Sequence, residues 1–152
     1  MTDPESTPSP AQVSPVPDVS VQAFLLCSAF NVNERQLNIL GGGLQLVAVD
    51  RFPSQFPLGL VVGCTLPNRP GNPVSVRIEV RLGMDGHLVL PPLVVDLDSS
   101  TDFPDESWSG GATIHLPIDL SPFLVEEPGD YWFGLYVDDR LVTSTILAVV
   151  EG

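Results

Sequence analysis

The chain has 152 residues, 43% of them hydrophobic, and its 19 acidic against 6 basic residues leave a formal net charge of −13. That length points to one domain with enough bulk to bury a core without disulfide or metal staples. A field this negative repels phosphate backbones and anionic lipid surfaces, which argues against nucleic acid and membrane as partners.

Residues 1–19 read as a disordered leader. Pro4, Pro8, Pro10, Pro15 and Pro17 alternate there with Ser, Thr and acidic residues. Such a segment cannot bury enough apolar surface to offset its ordering entropy. It has no basic residue and no apolar run, so it lacks the marks of a signal peptide. The following apolar stretch, Val21–Phe30, is too short to span a bilayer. The expected address is the cytoplasm.

The folded domain is expected over 20–152. Val21–Asp50 reads as a strand, a polar turn at Asn31–Arg35, a short strand, a bend at Gly41–Gly43 and a third strand. Cys27 and Cys64 have no Trp between them, so they lack the cysteine–tryptophan signature of immunoglobulin domains. In a reducing compartment both are expected as free core thiols. Leu58, Leu60, Val62, Cys64 and Leu66 then fall on one strand face.

Pro70-Gly71-Asn72-Pro73 is a turn. Val74–Leu82 follows as the cleanest strand, with Val74, Val76, Ile78, Val80 and Leu82 on one side. Ser75, Arg77, Glu79 and Arg81 line the other. Gly83–Gly86 makes a hairpin into Leu88–Asp98, a strand region bent by Pro91-Pro92. Ala112–Leu120 alternates again, and Pro117 on its polar side marks an edge strand. Ser121–Glu126 is at most a helical turn. Glu127-Pro128-Gly129-Asp130 turns the chain into Tyr131–Val137. Asp138-Asp139 closes a tight hairpin onto Arg140–Val150, because Asp tolerates positive φ. The pattern predicts an all-β fold: an antiparallel β-sandwich, immunoglobulin-like or C2-like, with about eight or nine strands. Tyr131, just after the Pro-Gly-Asp turn, stands where a tyrosine corner would bond back to that turn.

Phe24-Leu25-Leu26-Cys27, Leu37-Asn38-Ile39-Leu40-Gly41-Gly42-Gly43, Pro128-Gly129-Asp130-Tyr131 and Val137-Asp138 together resemble a family of small bacterial β-sandwich proteins known only as a domain of unknown function. The resemblance covers roughly residues 20–150, a single-domain length. Members often carry an acidic residue after the cysteine, where this chain has Ser28; the proline-rich leader is also atypical. The resemblance implies a fold and brings no activity, cofactor or catalytic residue.

Three groups of residues suggest chemistry. Asp96 and Asp98 precede Asp102, Asp105 and Glu106, while Asp138 and Asp139 form a second acidic group. Calcium-binding sandwiches gather aspartates on clustered loops because Ca²⁺ takes roughly six to eight oxygen ligands. Here that arrangement needs Asp50 as its third loop; the alternative is an ordinary solvated surface. Trp132 and Tyr136 share a strand face with Gly134 between them. If exposed, they form a platform for a sugar ring or an anchor for a protein partner; otherwise they pack inside. Trp108 is a possible loop anchor. His87 and His115 are the only histidines, and no nucleophile elbow, phosphate loop or paired metal-binding histidines accompany them.

The sequence is therefore read as a non-enzymatic, cofactor-free cytoplasmic interaction or scaffold domain. Its expected contact residues are Trp108, Trp132 and Tyr136, and its partner is an unidentified protein. The alternative is a ligand-binding sandwich, with a sugar on the aromatic face or calcium on Asp50, Asp96, Asp98, Asp138 and Asp139. Sandwich edges can also pair to make homodimers.

Overall fold

A computed structural model describes residues 19–34, 36–66, 73–97 and 112–152. Among them there are twelve strands and no helix. The strands are β1 (Ser20–Cys27), β2 (Ala29–Asn33), β3 (Gln36–Leu40), β4 (Leu46–Val49), β5 (Ser54–Phe56) and β6 (Gly59–Leu66). They continue with β7 (Val74–Leu82), β8 (Leu93–Leu97), β9 (Ala112–Asp119), β10 (Phe123–Val125), β11 (Gly129–Val137) and β12 (Arg140–Glu151). The leader, the turn at 70–73 and the acidic and tryptophan loop at 98–111 lie outside the described residues, apart from Val19 and Pro73.

The strands form a five-stranded sheet ordered β4-β12-β11-β7-β8 and a three-stranded sheet ordered β1-β6-β9. Two-stranded ladders join β5 to β10 and β2 to β3. Every ladder is antiparallel except the parallel pairing of β4 with β12.

Alternation in β7 drives the core. Val74, Val76, Ile78 and Val80 are buried and belong to one cluster with Leu60, Val62 and Cys64 of β6. Tyr131, Phe133, Leu135 and Val137 of β11 and Leu147 and Val149 of β12 complete it. The inward faces of the two larger sheets thus share one apolar core, in which each fully buried Val, Leu or Phe contributes about 1.5–3 kcal/mol. Phe123 fills its end. Its ring centroid lies 5.6 Å from Phe56, 5.7 Å from Tyr131 and 5.9 Å from Phe133.

Several expectations are met in detail. Asp138 and Asp139 adopt φ of 47° and 63° at the β11–β12 turn, and Gly41 and Gly43 turn the chain with φ of 64° and 79°. The Tyr131 hydroxyl donates to the Glu127 carbonyl at 2.8 Å. Pro117 lies on β9, an edge strand.

Others need correction. Ser121–Glu126 holds a strand: Phe123 and Val125 are buried on either side of exposed Leu124. Three residues are too few for a period-two signal to stand out from a helical turn. The first strand breaks at Ser28, where the Ser28 amide donates to the Leu40 carbonyl. That break frees β2 and β3 to form a hairpin of their own. Short strands of this kind raise the count above the expected eight or nine.

Candidate functional site

The outer face of the five-stranded sheet carries the residues that the sequence singles out. Across β7, β11 and β12, Arg81 stands opposite Trp132 and Trp132 opposite Ile146. In the next rows Glu79 faces Gly134, and Arg77 faces Tyr136. Trp132 is only 2% exposed and Tyr136 only 7%. With Leu141 they make a second, smaller core on this face. The open aromatic platform is therefore not formed.

Long charged side chains from β7 cover the rings. The Arg77 guanidinium carbon lies 4.4 Å from the centre of the Tyr136 ring, a cation–π contact. Arg77 also pairs with Asp139, and its Nε lies 3.3 Å from Glu79 Oε1. Glu79 Oε2 accepts from Arg81 Nε at 3.1 Å and Nη2 at 2.9 Å. Arg81 Nη1 donates to the Gly86 carbonyl at 3.0 Å. Glu79 is the buried charge in this chain of contacts, and an arginine on each side compensates it. Both arginines are thus committed to carboxylates, which leaves no open cationic pair for an anionic ligand. Burial pushes the Tyr136 hydroxyl above its ordinary range, and the Glu79 charge adds to the rise.

Beside this network the same face turns apolar. Parallel pairing aligns Leu46 with Ala148 and Ala48 with Val150. Leu46 is 60% exposed, and Ile146 and Val150 are exposed large hydrophobics as well. Asp130, opposite Ala148, borders this stripe. Sequence reading missed the stripe because it depends on β4 joining β12, a contact between segments about a hundred residues apart. Its only local trace is the apolar alternation of Ile146, Ala148 and Val150.

The acidic residues are dispersed. Asp138 Oδ1 accepts from the Ser75 amide at 3.1 Å, and Asp139 is tied to Arg77. Asp96 stands opposite Ser75 on β8, at that same end of the sheet. Asp50 follows β4 at the far end of β12, where Val49 pairs with Glu151. The twelve residues of β12 place the two ends roughly 35 Å apart. Asp50 therefore cannot share a calcium ion with Asp138, and the expected three-loop cluster is not formed. Among the described residues no three His, Cys, Asp or Glu side chains are grouped to hold a metal ion. Asp98 and Trp108 lie outside the described residues.

The remaining reactive groups are separated. Cys27 and Cys64 are buried free thiols, and burial pushes the Cys64 thiol up to about 11. His87 and His115 are both exposed. His87 borders a shallow depression with Leu88, Glu126, Glu127 and Tyr131. His115 stands opposite Gly63.

No helix among the described residues is long and apolar enough to cross a membrane. Comparison with curated proteins finds no match. The model of a family of unknown function, DUF6941, matches residues 22–150. The match reaches every strand of the two larger sheets, and the chain belongs to this family of unknown function.

Proposed function

We propose that this protein is a non-enzymatic β-sandwich, immunoglobulin-like in outline, that works in the cytoplasm as a protein-interaction domain. The contact surface is the outer face of the five-stranded sheet. The observation that carries this reading is the stripe of Leu46, Ile146 and Val150, exposed beside the buried Trp132 that pairs with Ile146. Contiguous apolar surface rimmed by polar groups is the usual mark of a protein partner's footprint.

The aromatic rings serve differently from an open anchor. Trp132, paired with Ile146, supports the stripe from the side, and the Arg77–Glu79–Arg81 network covers the rings from β7. A face held this firmly loses little conformational entropy on binding. Net charge of −13 and Asp130 at the border favour a partner with an apolar centre and a basic rim. The shared core of the two larger sheets and the Tyr131–Glu127 hydrogen bond support the sandwich reading. Two buried, unpaired thiols accord with a reducing compartment.

Replacing both Leu46 and Ile146 by Asp tests the reading. Partner binding is expected to be lost while the melting temperature stays close to that of the parent chain.

A further inference from the structure

The β2–β3 hairpin stands apart from the sheets that share the core. Its root is fixed: a Cβ on Gly59 would lie 2.8 Å from both Cys27 Sγ and Phe30 Cδ1, so those two side chains close over β6 there. Along the hairpin Val32 is 59% exposed, Leu40 is 70% exposed, and Ile39 is exposed as well. Isolated two-stranded ribbons are marginally stable in water. On its other edge β3 has no ladder partner among the described residues. Neither β2 nor β3 holds a charged residue or a proline, in a chain of net charge −13. Exposed edges are ordinarily blunted by just those residues.

We propose that β3 pairs antiparallel with β3 of a second copy of this chain, about a two-fold axis at Asn38. The segment Gln36-Leu37-Asn38-Ile39-Leu40 is close to self-complementary in that register. A two-fold contact puts Asn38 opposite Asn38 and Leu37 opposite Ile39. Both matches are like with like, amide against amide and aliphatic against aliphatic. Asn38 already donates from Nδ2 to Asn31 Oδ1 at 3.0 Å, so an amide ladder would run across all four strands. Phe30, Val32, Leu37 and Ile39 share the opposite face of the hairpin, and pairing makes their apolar surface continuous between the copies.

Backbone geometry agrees. Counting from the Asn33–Gln36 pair at the turn, hydrogen-bonded and non-hydrogen-bonded pairs alternate along the ladder. Asn38 then turns its amide and carbonyl toward β2, while Leu37 and Ile39 turn theirs to the free edge. In the two-fold register Leu37 and Ile39 of the other copy are the groups that meet them. The self-complementary register is what favours a second copy at this edge, and because the strands brought together carry no charge, the like-charged bodies meet where repulsion is least. The contact uses β3, whereas the stripe lies on β4 and β12, so substitutions in the two places test the two proposals separately.

The test uses the full chain. Sedimentation over a concentration series should give a mass near twice that of one chain, and Asn38→Lys should return the monomer with unchanged circular dichroism and melting. Asn38→Cys should form a disulfide-linked dimer under mild oxidation, since non-hydrogen-bonded antiparallel pairs bring their side chains close. Val32→Cys, also exposed but off the axis, should not. A parent chain that stays monomeric at every concentration would overturn the proposal. So would a dimer that survives Asn38→Lys, or Asn38→Cys cross-linking no faster than Val32→Cys.

Discussion

The indole of Trp132 lies across Gly134, two residues along the same face of β11. A Cβ at Gly134 would sit 2.6 Å from Trp132 Cζ3 and 2.9 Å from Cζ2. Glycine is thus required by the ring it supports. Gly134→Ala gains about 0.5–1 kcal/mol from reduced backbone freedom but forces the indole out of its seat, a strain of about 1–3 kcal/mol. The strain wins, and urea unfolding should show a net loss of stability. The outer face should also loosen, which would appear as faster amide exchange in β11 and β7.

Glu79 holds two arginines at once, Arg77 through Oε1 and Arg81 through Oε2. Glu79→Gln keeps the shape and removes the charge. A fully buried ion pair broken in this way costs about 3–5 kcal/mol. The two arginines here keep some contact with solvent, so the expected loss is about 1–3 kcal/mol. Chemical unfolding of the parent and Glu79→Gln chains measures it. Salt should weaken the parent less than it weakens chains held by fully exposed pairs.

Tyr131→Phe removes the hydrogen bond to the Glu127 carbonyl and leaves the ring in the core. Glu127 is exposed, so water can replace the lost donor. The expected loss is about 0.5–1.5 kcal/mol, read as a lower urea midpoint with an unchanged slope. A larger loss would mean that the corner organises the whole β10–β11 turn.

Stability should fall at high pH. Cys64 titrates near 9.0 when unfolded and is pushed up to about 11 by burial. Its neutral form is the one the core accepts, so its contribution is complete below pH 9.0. It is lost as pH rises toward about 11, because the unfolded chain then releases a proton that the folded chain retains. A shift of this size corresponds to roughly 2–3 kcal/mol. Burial raises Tyr131 and Tyr136 in the same direction, extending the loss above pH 10.0. Cys64→Ala should make the fall between pH 9.0 and about 11 shallower and leave in place the part that Cys27, Tyr131 and Tyr136 contribute.

Much of the fold was legible because its longest strands are simple. β7 alternates without interruption from Val74 to Leu82, and Asp138-Asp139 announces the β11–β12 hairpin by its tolerance of positive φ. What escaped is non-local or very short. β5 and β10 have three residues each and gain strand character only by pairing with one another. β4 joins the five-stranded sheet through a parallel ladder to the end of the chain. The candidate surface was half legible for the same reason. Trp132, Tyr136 and Gly134 were correctly placed on one face, but their cover comes from β7. Arg77, Glu79 and Arg81 read only as the polar side of an alternating strand, and the Arg77↔Tyr136 and Arg81↔Trp132 register turns them into a lid.

Comparative affinity capture from the native host tests whether the outer face of the five-stranded sheet binds a protein. The baits are the parent chain, a Leu46→Asp/Ile146→Asp double variant and the Asn38→Lys hairpin variant, with captured proteins quantified by mass spectrometry. A specific protein should be retained by the parent and the hairpin variant and lost from the double variant. Equal retention by all three baits, or no specific protein on the parent chain, would contradict it.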